Sequence, residues 1–287
     1  MAIKNKLVVT ALLMSFLVMG ITQTAQAYTF FIDEFSVIKN GSLLFDDKFN
    51  DGQPFPNDGP NLITGGTLSY FVDGTMGSEH SGDPGKLTLN SSGAVPFTFL
   101  DGTQFLHQRA ILLTDISDNL SLGLKSDDTF SVTGVFDLIT PSGLREGYDV
   151  MFNDGTAADP TPDDIAMMRV IRTSTNQLMV QLVHLDFVTP TQVIIDSDPL
   201  VTTNHTTISL RLEKKDANSN AITGSYAYDN GTFIEFGTTM NIFSDETFTR
   251  AEFEAFAPAP VPEPGTMLLL GSGLVGLAGF ARKKLKK

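Results

Sequence analysis

The chain contains no cysteine and no tryptophan among its 287 residues. Without cysteine it forms no disulfide bonds, and thiolate metal sites, iron–sulfur clusters and thiol nucleophiles are excluded. Without tryptophan, stacking on a ligand must rely on phenylalanine and tyrosine. The composition supplies 22 Phe but 5 Tyr. Tyr and Phe candidates for such stacking are Tyr70, Phe71, Tyr148, Tyr226 and Tyr228.

Basic residues are scarce and unevenly placed. The chain has 19 of them against 33 acidic residues, which gives a net charge of −14. Seven of the basic residues lie in the first six and last six positions, so the middle of the chain has a net charge of −21. The middle of the chain therefore lacks the excess of cations that neutralises phosphates, and we predict no nucleic-acid partner. An acidic surface keeps an exported protein soluble.

The N-terminus has the pattern of an export signal. Lys4 and Lys6 precede an apolar run over residues 7–21, and small residues follow, ending at Ala25 and Ala27. Cations, a short apolar helix and small residues, in that order, are what signal peptidase recognises. We predict a signal peptide cleaved after Ala27. The alternative is a retained membrane anchor, but the run is shorter than the ~20 residues that span a bilayer.

The C-terminus has three consecutive parts. Residues 257–264 carry a proline at every second position, which favours an extended polyproline II linker. Residues 265–281 follow without a charge and predict a short transmembrane segment, and residues 282–287 form a basic cytoplasmic tail. Fifteen apolar residues in a helix cover about 22 Å of a ~30 Å hydrocarbon core, so we expect membrane residence during sorting only. The basic stop begins with Arg282, Lys283 and Lys284.

This three-part tail resembles the PEP-CTERM sorting signal of Gram-negative bacteria. The resemblance rests on the basic cluster, the Gly/Leu-rich span and the motif Val261, Pro262, Glu263 and Pro264. It implies recognition by a membrane-embedded exosortase, cleavage at or near the motif, and delivery from the inner membrane to the cell surface or extracellular matrix. It also implies a bacterium that makes extracellular polysaccharide. The alternative is an ordinary C-terminal anchor.

Residues 28–256 predict one β-rich domain. Apolar and polar residues alternate along short segments separated by turn residues, as in Ile208, Leu210 and Leu212, which share one face of a strand. The strand order and turns resemble the concanavalin A-like lectin/glucanase sandwich. The resemblance lies in segments 31–35, 46–52, 208–213, 222–226 and 229–231. It implies an all-β fold, a two-sheet antiparallel jelly-roll sandwich, whose concave sheet often binds glycans in that family.

The sequence offers little catalytic chemistry. Retaining sandwich hydrolases need two carboxylates about 5 Å apart, one as nucleophile and one as acid. Glu252 and Glu254 lie two residues apart and share a strand face, which we interpret as a solvated face with Arg250. We therefore assign no catalytic residues and predict that the protein is not an enzyme.

One acidic loop has ligands that suit a metal ion. It offers hard oxygens within six residues and ends in a glycine, and such oxygens suit Ca²⁺. Its residues are Asp46, Asp47, Asn50 and Asp51. They do not form an EF-hand, so a solvated acidic turn is the alternative. No other cofactor is predicted.

Three functions fit these observations. The first is an exported, exosortase-sorted protein of the cell surface or extracellular matrix, whose non-catalytic β-sandwich binds polysaccharide. The second is a secreted glycoside hydrolase or lyase on the same fold. The third is a structural matrix protein without a ligand. Signal peptidase, exosortase, the membrane during sorting and extracellular polysaccharide are the predicted partners.

Overall fold

The computed structural model describes residues 28–259 except 53–54, 56–61, 64–68, 78, 81–84, 114–123, 125–126, 142, 154–163, 174–176 and 242–249. The predicted signal peptide, the motif at 261–264, the predicted membrane segment and the basic tail lie outside the described residues. Residues 27–258 form one compact unit. Within the described part of the chain, no helix is long and apolar enough to cross a membrane.

Almost all regular structure in the described residues is β-strand. The exception is one 3₁₀ turn, Ser91–Gly93, which Asn90 caps through its side-chain oxygen. The strands, in chain order, are β1 Thr29–Lys39, β2 Ser42–Asp47, β3 Leu62–Ile63, β4 Ser69–Asp73, β5 Glu79–His80, β6 Lys86–Asn90, β7 Val95–Thr98, β8 Gln104–Leu113, β9 Phe130–Asp137, β10 Gly147–Asn153, β11 Asp164–Arg172, β12 Leu178–Asp186, β13 Thr191–Pro199, β14 Thr207–Lys214, β15 Ala221–Tyr228, β16 Ile234–Asn241 and β17 Arg250–Pro258.

The strands form two antiparallel sheets. Sheet 1 has the order β16-β15-β14-β9-β1-β2-β3, and β6 pairs with β1 and with β5. Sheet 2 has the order β13-β12-β11-β10-β17-β8-β4, and β7 pairs with β8 beside β4. This architecture confirms the predicted all-β, two-sheet antiparallel sandwich.

The core lies between the inner faces of the two sheets and is rich in aromatic side chains. The ring of Phe35 on β1 lies 5.1 Å from that of Phe253 on β17, measured between centroids. The ring of Tyr148 on β10 stacks on Phe136 of β9 at 4.7 Å. The alternation predicted for β14 is confirmed, because its apolar residues Ile208, Leu210 and Leu212 are fully buried. Phenylalanine and tyrosine thus supply the large aromatic side chains of a core without tryptophan.

Residues in the left-handed conformation form the turns of two hairpins in sheet 1. Asn40 and Gly41 have φ values of 49° and 75° and join β1 directly to β2, as a two-residue turn between twisted strands requires. After β15, the left-handed residues are Asp229 and Asn230, with φ values of 48° and 58°. The amide of Gly231 closes this turn by donating to the carbonyl of Tyr228 at 2.7 Å.

The central strands of sheet 2 are buried on both faces. All seven residues of β10 are buried, and so are the first eight of β17. The inner-face residues belong to the main core, whereas the outer face combines buried charged residues with Met151 and Phe256, which belong to two further apolar clusters. Charged groups on a buried face are costly unless they are paired, so this face is where a functional site is expected.

Candidate functional site

A row of polar side chains crosses the outer face of sheet 2. Directly paired residues of neighbouring antiparallel strands point to the same face, so the pairing register identifies the members of the row. Asp149 of β10 pairs with Glu254 of β17 on one side and with Arg169 of β11 on the other. We call the set the polar row, and from β4 to β13 it consists of Asp73, Arg109, Glu254, Asp149, Arg169, Gln181 and Ser197.

Both ends of the polar row are held by hydrogen bonds between its members. At one end Arg109 Nη2 donates to Asp73 Oδ2 at 2.6 Å. At the other end Arg169 Nε donates to Gln181 Oε1 at 2.9 Å, and Gln181 Nε2 donates to Ser197 Oγ at 3.3 Å. These bonds fix the side-chain orientations and leave the two carboxyl groups of β10 and β17 at the centre.

Asp149 is the central residue of the polar row. It is 0% exposed, and neither of its carboxyl oxygens has a hydrogen-bond partner. Burial raises the pKa of Asp149 well above its usual range, and repulsion from Glu254 raises it further, while Arg169 opposes both effects. The ionised form of this carboxyl group is therefore less favourable in the folded protein than it would be in water.

The interpretation of Glu252 and Glu254 as a solvated face with Arg250 is wrong. Glu252 is 0% exposed, Glu254 is 6% exposed and Arg250 is 4% exposed. The physical reason is the position of β17, which lies inside sheet 2 between β10 and β8 and whose outer face is overlaid by other side chains. Alternation along a strand shows that two residues share a face but does not show what covers that face.

The two glutamates of β17 have different partners. The Glu254 carboxylate lies 3.1 Å from His107 Nδ1, measured to Oε2. Glu252 accepts a hydrogen bond from Asn153 Nδ2 and lies 3.4 Å from Arg109 Nη1. Burial also raises the pKa of Glu252, although Arg109 and Arg250 lower it. Both glutamates are thus held in fixed positions.

The hairpin of β7 and β8 brings phenylalanines over the polar row. The ring of Phe97 stacks on His107 with centroids 4.4 Å apart. Phe99 follows in the turn and packs between the two outer-face clusters, one around Met167 and the other around Phe256. These rings form an apolar surface that faces the polar row.

Two adjoining pockets lie between the rings of Phe97 and Phe99 and the polar row. The inner pocket has a volume of about 100 Å³, and its polar lining includes Asp149, Glu254, Arg169 and Arg145. The wide pocket has a volume of about 380 Å³ and is bordered by Asp73, His107, Arg109 and Glu254 on its polar side, while its remaining lining is almost entirely apolar. Glu254, Phe97, Phe99 and Met167 line both pockets. We refer to the two pockets together as the cleft.

Arg145 reaches the inner pocket from a strained backbone. Its φ of 62° lies in the left-handed region, which is costly for a residue that is not glycine or asparagine. Its guanidinium carbon lies 5.0 Å from the centre of the Phe105 ring, and its two terminal nitrogens donate to Asp101 Oδ2 and Thr103 Oγ1 at 3.1 Å each. The β7–β8 turn therefore holds this cation at the edge of the cleft.

The predicted calcium residues lie at and beyond the end of β2, away from the polar row in the fold. The Asp46 carboxylate lies 3.9 Å from Lys48 Nζ, and Asp47 Oδ1 accepts a hydrogen bond from the Phe49 amide at 3.1 Å. Asp46 and Asp47 are consecutive on a strand and point to opposite faces, and Asn50 and Asp51 follow it. In the described residues no three His, Asp or Glu side chains form a group that could hold a metal. Calcium binding stays a prediction.

The aromatic residues proposed for stacking lie elsewhere. Tyr70, Tyr148 and Tyr226 are buried in the core, and Tyr228 stacks on His205 at 4.2 Å. Phe71 is 45% exposed on β4. The two phenylalanines that line both pockets of the cleft, Phe97 and Phe99, were not among the candidates. Nothing in the local sequence marks them, because only the pairing of β7 with β8 brings them over the sheet.

The C-terminal tail matches a known protein-family model. Residues 260–283 match the family model described as the PEP-CTERM protein-sorting motif. The chain carries a PEP-CTERM sorting motif. The match covers the predicted motif and membrane segment and ends within the basic cluster. No curated protein sequence matches the chain.

Comparison with solved structures finds plant lectins, at low similarity. Lectin I-B4 from Griffonia simplicifolia in its metal-free form is 9% identical, covers 79% of this chain and 92% of its own, and has a TM-score of 0.39. The winged bean acidic lectin complexed with methyl-α-D-galactose is 8% identical over 81% and 92% of the two chains, with a TM-score of 0.38. Peanut lectin is 11% identical over 83% and 91%, with a TM-score of 0.37.

Proposed function

We propose that this protein is processed by an exosortase, passes through the inner membrane transiently, and binds polysaccharide at the cell surface or in the extracellular matrix without cleaving it. The PEP-CTERM motif implies exosortase processing and export through a Gram-negative envelope. The acidic middle of the chain suits a protein that must stay soluble outside the cell. Polysaccharide binding is assigned to the cleft on sheet 2.

The polar row is the observation that carries this proposal. Its carboxylates, guanidinium groups, amide and hydroxyl place hydrogen-bond donors and acceptors on seven neighbouring strands. Five of its members, from Asp73 to Arg169, line the cleft, and at about 4.8 Å between strands the first and last of these lie about 19 Å apart, which suits a short run of hydroxyl-bearing units. Phe97 and Phe99 supply apolar faces beside it, as a sugar ring requires.

The pairing of the carboxylates supports a non-catalytic role. Glu254 interacts with His107, Glu252 with Asn153 and Arg109, and Asp73 with Arg109. A carboxylate held by a cation or an amide is a weaker nucleophile or base than a free one. A carboxylate that only binds a sugar through hydrogen bonds does not need to be unpaired.

A second candidate is a glycoside hydrolase, which was the alternative from the sequence. The observation that favours it is the direct pairing of Asp149 with Glu254, because directly opposed residues place their Cβ atoms about 5 Å apart. The raised pKa of Asp149 fits a proton donor at this position. Release of reducing sugar from the bound polysaccharide would favour this candidate over the first.

Binding of the processed protein to polysaccharide purified from the producing bacterium tests the proposal. Arg169→Gln keeps the size of the side chain but removes its charge beside Asp149, and we expect it to weaken binding about tenfold. Arg211→Gln is the matched control, because Arg211 lies on sheet 1 and packs over Phe233 at 3.7 Å. Equal affinity for both variants and the unmodified protein would refute the placement of the site, and reducing-sugar release is measured in the same samples.

A further inference from the structure

Asp149 differs from the other buried carboxyl groups of the described chain in one respect. It alone has two buried oxygens without a hydrogen-bond partner. Folded proteins satisfy nearly all such groups, and a buried acceptor without a partner is destabilising. The presence of this unfavourable carboxyl group at the centre of a sheet indicates that its oxygens have a functional role.

The space beside Asp149 is limited. The inner pocket of about 100 Å³ has room for about three water molecules at ~30 Å³ each. A hydroxyl or hydroxymethyl group fits this volume, whereas a whole sugar ring belongs in the wide pocket of about 380 Å³. The two pockets adjoin along Glu254, Phe97 and Phe99, so one ligand can reach both.

The charges around Asp149 are balanced. Glu254 and Glu252 face it from β17, Arg169 faces it from β11 and Arg109 from β8. Arg145 adds a further cation at the pocket. An anionic ligand group would meet two or three carboxylates, and a cationic group would meet the guanidiniums. A hydroxyl group is uncharged and both donates and accepts hydrogen bonds, so it suits both kinds of neighbour.

We infer that the inner pocket is a subsite for an uncharged hydroxyl-bearing arm of a sugar unit, and that Asp149, which is 0% exposed in this structure, accepts its hydrogen bond after a small shift of the side chains that cover it. This inference rests on the proposed function, because it specifies the ligand group within the same cleft. Arg169 and Arg145 donate to the oxygen of the same arm. The strained backbone of Arg145 is maintained by its contacts with Asp101, Thr103 and Phe105, which place its guanidinium at this pocket.

Asp149→Asn is the direct test, read out by both stability and binding. The amide has nearly the same shape but carries no charge, so its burial is less costly, and we expect a higher melting temperature at pH 7.5. We expect affinity for neutral oligosaccharides, prepared by partial hydrolysis of the polysaccharide, to fall about tenfold. Asp149→Ala removes both oxygens and should bind more weakly still. Asp137→Asn on sheet 1 is the control for binding.

The unmodified protein is also titrated with glucose, glucosamine and glucuronate at high concentration. We expect glucose-type neutral sugars to bind more tightly than either charged analogue. A preference for a charged sugar, unchanged affinity in Asp149→Asn, or a lower melting temperature in that variant would overturn the inference, while polysaccharide binding by the unmodified protein would still support the proposed function. If the unmodified protein binds no saccharide, both are refuted.

Discussion

Asp33 provides a prediction whose size and sign follow from the structure. It lies at the β-bulge of β1, where the pairing with β9 shifts between Ile32 and Glu34, and it is 7% exposed. Burial raises its pKa to about 6 from the model-peptide value of 3.8. Repulsion from Asp137 adds to this effect and Lys86 opposes it.

The shift predicts how stability depends on pH. Because the pKa of Asp33 is higher in the folded state, the folded state binds more protons between about pH 4 and pH 6. The stabilisation is complete below the unfolded pKa and is lost as pH rises through about 6. A shift of about 2 units corresponds to about 3 kcal/mol. We expect about 1.5–3 kcal/mol, since solvent screening at this partly exposed cluster reduces the effect.

Asp33→Asn tests this reasoning by urea denaturation of the processed protein. The variant should match the unmodified protein at pH 4 and be more stable at pH 7.5 by about 1.5–3 kcal/mol. Asp137→Asn is the matched control, because Lys86 Nζ donates to both Asp137 oxygens at 2.5 Å. That variant should be less stable at pH 7.5 by about 0.5–1 kcal/mol. A loss of stability in Asp33→Asn at pH 7.5, or the same gain at pH 4, would refute the argument.

Two further predictions concern the sorting motif and the core. Replacing Pro262 and Pro264 together by alanine should leave unprocessed protein in the inner membrane, and normal processing, seen by fractionation and mass spectrometry, would contradict the sorting assignment. Phe253→Ala should lower the free energy of unfolding by about 3–5 kcal/mol, because the ring is fully buried between the sheets against Phe35 and Tyr70. A loss under about 1 kcal/mol would show that this part of the core is loosely packed.

Part of the fold could be read from the sequence because its signals are local. The strand Thr207–Lys214 has a clear alternation, and its inner face is buried as predicted. The bulge in β1 is also visible in the sequence. The inward-facing residues switch from even-numbered positions, Phe30 and Ile32, to odd-numbered positions, Phe35 and Val37. The hairpin at Asn40 and Gly41 has a recognisable turn pair as well.

The cleft could not be read in the same way. Glu252 and Glu254 have the alternation of an exposed strand, yet both are buried. Asp149 lies 105 residues before Glu254 in sequence, and only the pairing of β10 with β17 places them side by side. Alternation identifies the two faces of a strand, but the strand order of the sheet determines which face is covered and which charges meet.

The sequence by itself determined where this protein is sent and what class of fold it has. A sorting signal is read as a linear segment by a membrane enzyme, and β-strand periodicity is a property of neighbouring residues, so both are visible without a structure. Only the tertiary structure decided the candidate site, because the polar row takes one residue from each of seven strands, and β4, β8 and β17 lie far along the chain from the consecutive strands β10 to β13. Their shared face and the burial of Asp149 arise from long-range strand pairing, which no local pattern encodes.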